Sequence, residues 1–220
     1  MTLPEYNIFP LSESAIVVEF GRAISIDLND KALGLAASLE ADPFPGFVEA
    51  VPAYASTTVF YDPMLVRKLS VPEIVADRLG ATSLAPERAH FDPIEIPVDF
   101  SEDCSLDLFD VCSLTKLSNE ELISRFLART YRVFMLGFLP GFAYMGEVDE
   151  SIAVPRKETP RTAVPKGSVG IAGKQTGIYP FESPGGWQII GRTKVEMFTP
   201  SAETPCRLKP GNYVRFVRSS

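Results

Sequence analysis

Histidine is almost missing from this sequence of 220 residues: the one present, His90, sits in a polar stretch between Pro86 and Pro93. Histidine chemistry is therefore excluded from the rest of the chain, and His90 itself reads as a solvated linker side chain. Cysteine is scarce as well. Cys104, Cys112 and Cys206 are odd in number, form no CxxC pair and have no histidine nearby, which points to reduced structural thiols rather than a disulfide framework or a zinc site. No run reaches the roughly 20 apolar residues of a membrane-spanning helix. No Lys or Arg precedes Arg22, and Pro4, Glu5, Pro10 and Glu13 interrupt the apolar residues there, unlike a secretory signal. The expected address is cytoplasmic, with no membrane as partner. The sequence also has no internal repeat and no low-complexity tract.

What is present suffices for a folded core. Apolar residues make up 45% of the chain, enough for one large core or two modest ones, and the length favours two. The net charge of −7 is divided unevenly: residues 1–136 carry 10 basic against 21 acidic side chains, a net −11, whereas 137–220 carry 11 against 7, a net +4. The basic side chains concentrate in "PRKETPRTAVPKGSVGIAGK", where Arg156, Lys157, Arg161, Lys166 and Lys174 face only Glu158. Two readings stay open for this stretch, a solvated loop or a surface that attracts an anionic ligand. Nucleic acid is not an expected partner, because the basic stretch is short and the rest of the chain repels phosphates.

Strand and helix signals alternate over the first 80 residues. "AIVVEF" is a β-rich run ended by Gly21, and "DLNDKALGLAASLEAD" repeats apolar positions at Leu28, Ala32, Leu35, Ala36 and Leu39, the spacing of one helix face. Two short β-rich runs follow, Phe47 to Val51 and Thr57 to Tyr61, then a helical pattern from Met64 to Leu79 that Pro72 is expected to interrupt. The order β-α-β-β-α predicts an α+β N-terminal domain of the ferredoxin-like kind over residues 1–82. A linker over 83–92 is predicted within "GATSLAPERAHFDP" (80–93), which is short on large apolar groups and carries two prolines. A second domain, 93–220, begins with the strand "IEIPV" and a helix in "LSNEELISRFLARTY", where Ser118 and Glu121 have capping-box spacing and Leu122, Phe126 and Leu127 form the buried side, ending near Thr130. From Tyr131 onward, β-rich runs at Tyr131 to Phe134, Ser168 to Ala172, Gln188 to Ile190 and Tyr213 to Val217 are separated by Gly- and Pro-containing turns, and ten of the fifteen glycines lie between Gly137 and Gly191. This predicts a mainly β barrel or sandwich.

Several motifs bear on chemistry. "SVGIAGKQT" approaches a phosphate loop but has Ser168 where the first glycine belongs and Gln175 after Lys174, so it fails at both informative positions. "ESPGGWQIIGRT" sets Trp187 after two glycines, either as a pocket wall or as a hairpin corner with its indole in the core. Asp149, Glu150, Glu158 and Glu182 are acid/base candidates whose spacing does not show which converge, and Ser183 has no conventional base for covalent chemistry. "LGFLPGFAYMG" (136–146) carries Phe138, Phe142, Tyr144 and Met145 among three glycines and a proline, without a charge. Such a stretch suits a pocket lining or a partner interface, where those side chains lose water.

Three long segments, "YRVFMLGFLPGFAYMGEVD", "TPRTAVPKGSVGIAGKQTGIYPFESPGGWQIIGRT" and "LKPGNYVRFV", resemble the 5-oxoprolinase B-subunit family, also called allophanate hydrolase subunit 1 or the sporulation-kinase inhibitor family; "VEFG", "VEAVPAYAST" and "IEIPV" extend the likeness over most of the chain. The resemblance implies an α+β N-terminal domain followed by a cyclophilin-like β-barrel. It also implies companion subunits, one resembling allophanate hydrolase subunit 2 and a third, with which relatives open the 5-oxoproline lactam to glutamate at the expense of ATP, phosphate activating the carbonyl oxygen. Related modules serve in urea carboxylase, and one branch of the family inhibits a sensor histidine kinase instead. ATP is then bound by the complex and not by a loop of this chain. By the same resemblance Arg161, Gln175, Tyr179, Ser183, Gly185, Gly186, Trp187 and Arg192 are expected at or near a substrate pocket, with an arginine pairing a carboxylate. Relatives usually carry a histidine where this chain has Phe126, so any proton transfer by that group is missing. Ala143 and Met145 replace the usual proline and leucine, and Lys166 and Lys174 replace small residues.

Overall fold

The computed structural model describes residues 6–67, 69–81 and 92–219, with the side chain of residue 81 left aside. The chain divides into two compact units, 1–90 and 91–220. His90 and the expected linker, save Asp92, lie outside the described residues.

The first unit runs β1 (Asn7–Ser12), β2 (Ala15–Glu19), α1 (Ile26–Ala41), β3 (Phe47–Pro52), β4 (Ser56–Tyr61) and α2 (Val71–Ala81). Its strands form one antiparallel sheet in the order β1-β2-β4-β3. The helix face predicted for α1 is the buried one: Ala32, Leu35, Ala36 and Leu39 pack against Ile16, Val18, Ala50 and Val59 of the sheet. Thr57, buried among them, donates its hydroxyl to the Ala32 carbonyl at 2.8 Å. The strand missed from sequence is β1, whose Pro10 lacks a donor and is tolerated because the strand lies at the sheet edge, beside a register shift. In a ferredoxin-like β-α-β-β-α-β chain the last strand pairs with the first; here β1 comes from the other end of the chain to fill that place beside β2. The helix expected from Met64 begins only at Val71, because Pro72 fits the first turn, where its missing N–H has no partner to lose.

The second unit contains β5 (Ile94–Val98), α3 (Leu108–Thr115), α4 (Asn119–Leu127), β6 (Thr130–Leu136), β7 (Ala143–Gly146), β8 (Arg161–Val164), β9 (Ser168–Ala172), β10 (Gln175–Ile178), β11 (Ser183–Gly185), β12 (Gln188–Arg192) and β13 (Tyr213–Arg218). Seven of these strands form a mixed sheet in the order β12-β9-β10-β7-β6-β13-β5, in which only β13 and β5 run parallel. The sheet nearly closes on itself: Asp99, just after β5, bridges Arg192 at the end of β12 through reciprocal backbone hydrogen bonds of 2.8 and 2.9 Å. β8 and β11 pair as a separate ribbon.

Two clusters fill this unit. The larger gathers Met145, Val169, Ile171, Ile178, Ile190, Val214 and Phe216 with Leu108 and Val111 of α3 and Leu122, Ile123 and Phe126 of α4. Phe126 is fully buried, stacked on Phe216 at 4.9 Å and receiving the Tyr131 hydroxyl at its carbonyl at 2.7 Å, so its position serves packing. The capping box expected for α4 is present, with Ser118 N–H donating to Glu121 at 2.9 Å and Glu121 N–H to the Ser118 hydroxyl at 3.3 Å. The smaller cluster unites Phe142, Val164, Ala172, Tyr179, Trp187 and Ile189.

Because the cores of the two units share no residue and the sole tryptophan belongs to the second, Leu35→Ala is expected to destabilise the first unit by about 2–5 kcal/mol. Circular dichroism should show an earlier first transition, while the midpoint read by Trp187 fluorescence stays within experimental error.

Candidate functional site

Phe142 is the centre of the smaller cluster. Its ring meets Phe138 (5.5 Å), Tyr144 (4.9 Å), Tyr179 (5.3 Å) and Trp187 (5.5 Å) edge to face, the arrangement that sets the electropositive ring edge against an electronegative face. Room for it comes from Gly177 on β10, where a Cβ would stand 2.9 Å from Phe142 Cζ. The turn between β6 and β7 then throws one ring outward. Leu139 N–H bonds the Gly137 carbonyl at 2.8 Å across Phe138, whose φ is +68°; this is a γ-turn of the positive-φ form, a rare and strained conformation for a residue with a bulky side chain. It leaves Phe138 60% exposed.

Of the four residues expected at a partner interface, only Phe138 is therefore freely presented. Phe142 (1% exposed) and Met145 (0%) are enclosed by their own chain, and Tyr144 is half-buried. Alternation along β7 turns Met145 into the large core, while the turn folds Phe142 under the ribbon.

The other sequence-predicted residues fall into three places. Tyr179, Trp187, Ser183 and Gly185 belong to the aromatic wall and the ribbon above it. Gly185 lies so close over Tyr179 that a Cβ would overlap the phenol, whereas a Cβ on Gly186 would find nothing nearer than Pro160 at 3.6 Å. Burial pushes the Tyr179 hydroxyl above its usual pKa, against a smaller opposing effect of the Trp187 backbone N–H that it accepts. Trp187 is a core residue, 4% exposed, with the Arg156 guanidinium 6.0 Å above its ring. Gln175 is not brought to this wall: it starts β10 beside the tight β9–β10 turn, about 13 Å of strand from Tyr179. Arg192 stands at the barrel seam.

Arg161 has a partner that sequence reasoning missed. Asp107, at the start of α3, has a side chain with no exposed surface. Its carboxylate accepts two hydrogen bonds from Arg161 (2.6 and 2.7 Å), one from Lys157 Nζ (2.8 Å) and one from the Ile189 N–H (2.7 Å), and its own N–H donates to the Ile189 carbonyl at 2.8 Å. Burial alone would raise its pKa, but the bonds from Arg161, Lys157 and Ile189 outweigh it and hold the carboxyl below the usual carboxylate range. The bidentate arginine–carboxylate pair anticipated for a substrate is made here within the protein. No spacing signals it, since the partners are 50 to 82 residues away.

Four of the five cations of the basic stretch are likewise engaged by acids of the same chain, and the fifth, Arg156, is the one over Trp187. Lys157 and Arg161 hold Asp107, Lys166 pairs with Glu196 at 2.6 Å and Lys174 with Glu150. "SVGIAGKQT" forms the β9–β10 hairpin, with Gly173 and Lys174 as its turn. A strand follows where a phosphate loop would open a helix, so these residues do not fit a nucleotide phosphate.

A model of the carboxyltransferase domain, subdomains C and D, matches residues 6–208. The chain is 42% identical to the B subunit of 5-oxoprolinase from Bacillus subtilis (strain 168) over 98% of this chain and 93% of the relative, and 39% identical to the protein of the same name from Haemophilus influenzae over 96% and 97%. The chain belongs to the 5-oxoprolinase B-subunit family. Among solved structures, TTHA0988 superposes with a TM-score of 0.83 at 39% identity, covering 94% of this chain and 40% of that one; the chain thus spans about two-fifths of that longer protein. The α+β first unit and the nearly closed barrel agree with the architecture that the resemblance implied.

The wall and its anchor can each be tested by substitution. Gly185→Ala is expected to displace the Tyr179 ring and cost about 1–3 kcal/mol, whereas Gly186→Ala stays within about 0.5 kcal/mol of the parent; urea titration read at Trp187 compares them. Asp107→Asn is expected to cost about 3–5 kcal/mol, because Arg161 and Lys157 lose their ionised partner. Since the folded-state pKa of Asp107 is depressed, its contribution is present above the unfolded value of about 4 and disappears as pH falls through the folded value. The variant should lose the corresponding part of the acid-side slope of stability against pH, measured by the same titration.

Proposed function

We propose that this chain is the B subunit of an ATP-dependent 5-oxoprolinase, a cytoplasmic lactam hydrolase that acts only as a heteromeric complex. The observation that carries this reading is the match to 5-oxoprolinase B subunits over almost the whole of both chains. Amide resonance makes a lactam a poor electrophile, and coupling to ATP supplies the activation. The segment nearest to a phosphate loop is a β-hairpin, which supports the assignment of ATP to another member of the complex.

Two features support the need for companion subunits. In TTHA0988 the equivalent of this chain makes up 40% of a single longer polypeptide, so a second large segment accompanies it there. In this chain Phe138 is held outward by a strained turn at the margin of the aromatic wall, where association would recover the apolar area. The companions proposed are a chain resembling allophanate hydrolase subunit 2 and a third subunit.

Co-expression with these companions, followed by measurement of ADP release, is the direct test. Release that depends on 5-oxoproline and not on urea or allophanate is expected; release driven by urea or allophanate, or none from an intact complex, would overturn the assignment. Phe138→Ser is expected to leave the thermal stability of the isolated chain within about 1 kcal/mol and to reduce copurification with the companion that resembles allophanate hydrolase subunit 2. An undiminished complex with that variant would remove Phe138 from the interface.

A further inference from the structure

The seam that closes the barrel also builds a cleft of about 360 Å³, whose lining includes Arg192, Lys166 and Lys194, the acids Asp99 and Glu196, and the apolar Pro180 and Val195. Its backbone is locked. Gly167, at φ +81°, donates to the Tyr179 carbonyl at 2.8 Å and accepts from Thr193 N–H at 2.9 Å, and a Cβ there would collide with the Thr193 carbonyl. Arg192 is fixed at three points: its N–H and carbonyl by the bridge to Asp99, and its Nε by the Lys166 carbonyl at 2.9 Å. Anchoring through Nε leaves the two terminal nitrogens of the guanidinium, and these meet no acidic side chain among the described residues.

The acids lining the cleft are otherwise engaged. Asp99 accepts from Ser101 N–H at 2.8 Å, and the backbone and side-chain bonds of Ser101 together hold its pKa low, with Cys104 and Lys194 contributing less. Glu196 pairs with Lys166 at 2.6 Å. The Lys194 ammonium makes no ion pair among the described residues. Arg192 and Lys194 are thus the two cations of the cleft that no carboxylate among the described residues engages in an ion pair, in a lining that also holds Asp99, Glu196 and Thr193 beside the apolar Pro180 and Val195, and the Arg192 guanidinium, anchored through Nε, keeps its terminal nitrogens for a bidentate contact.

We propose that this seam cleft binds the oxyanion of a small acid, gripped by the terminal nitrogens of Arg192 and attracted by Lys194. A planar guanidinium matches both oxygens of a carboxylate or two of a phosphate. The volume lies at the lower end of the small-molecule range. Pro180 and Val195 offer an apolar surface to whatever carries the charge. If the chain serves a 5-oxoprolinase, the acid is 5-oxoproline itself, bound by its carboxylate with the lactam ring against that surface; this identity rests on the proposed function, whereas the oxyanion site does not.

Isothermal titration of the full chain in a phosphate-free buffer of low ionic strength tests the site. The probes are 5-oxoproline, inorganic phosphate and 2-pyrrolidinone, which keeps the ring and lacks the carboxylate. Binding of 5-oxoproline that weakens with added salt and is not shared by 2-pyrrolidinone is expected. Arg192→Gln should weaken it by about tenfold or more, and Lys194→Gln, a change at an exposed side chain that leaves the barrel intact, by about threefold. Phosphate binding that is lost in the same variants, with 5-oxoproline silent, would sustain the oxyanion site and assign it to a phosphate-bearing ligand. Failure of both acids to bind, or equal binding by the parent and both folded variants, would overturn it. The two proposals separate cleanly: a complex that hydrolyses 5-oxoproline with an unchanged KM in Arg192→Gln removes 5-oxoproline as the occupant of the cleft and leaves the function standing. Arg192-dependent oxyanion binding in a chain whose intact complex ignores 5-oxoproline condemns the function alone.

Discussion

A carboxylate stripped of water stays ionised only where donors replace its hydration, and Asp107 has four hydrogen bonds doing so: two from Arg161, one from Lys157 and one from a backbone amide. Much of the second unit is positioned through that group. At the head of α3 it would ordinarily cap the helix, yet its side chain makes no cap bond and turns to the strand β12 instead. The helix is thereby tied to Ile189, the ribbon strand β8 is tied through Arg161, and the loop before it through Lys157. Trp187 lies two residues from the first of these attachments and Arg156 one residue from the last, so the cation over the indole follows from the same anchor.

The aromatic wall rests on a different constraint, the space that glycine leaves. Gly177 admits the edge of Phe142 and Gly185 admits the Tyr179 phenol, and the rings then fix one another by edge-to-face contact. Packing of this kind is rigid, because moving one ring disturbs its neighbours. The strain at Phe138 is local against that background: the wall holds its neighbour Phe142 in place while the γ-turn turns Phe138 toward solvent. A surface aromatic so maintained is better suited to meeting another molecule than to stabilising its own.

Much of the architecture was legible in the sequence because it rests on local rules. The spacing of Ala32, Leu35, Ala36 and Leu39 marks a helix face, Ser118 with Glu121 marks a helix start, and the β-rich runs between glycines mark barrel strands. What escaped were elements whose local signal is weak. β1 carries a proline that only its edge position excuses, and in "LFDVCSLT" the apolar spacing of α3 is blurred by Phe109 and Leu114, both of which face solvent. The site was less legible still. Phe138, Phe142, Tyr144 and Trp187 of the wall stood out by composition and Tyr179 through resemblance, but Asp107 looked like one acid in an acidic half. Its role depends on contacts that only the closed barrel creates. The same holds for the basic stretch, whose lysines and arginines seemed available until folding supplied Glu150, Glu196 and Asp107 as partners.

That internal neutralisation bears on where recognition can occur. An anion entering from solvent competes poorly for Lys157 or Arg161, since displacing Asp107 would leave a buried charge without its partners. The cations able to accept a ligand at little cost are those whose geometry is fixed by backbone contacts rather than by acids, and Arg192 at the seam is one. Holding a small acid by its charged end leaves the bond that is to break on the far side of the molecule. In the proposed complex, binding energy at the seam would then serve to orient a reacting group that another chain activates. A division of this kind accounts for a barrel that combines a prepared anion grip, an outward aromatic and no phosphate loop in its most suggestive segment: each feature is useful to a partner and of little use alone.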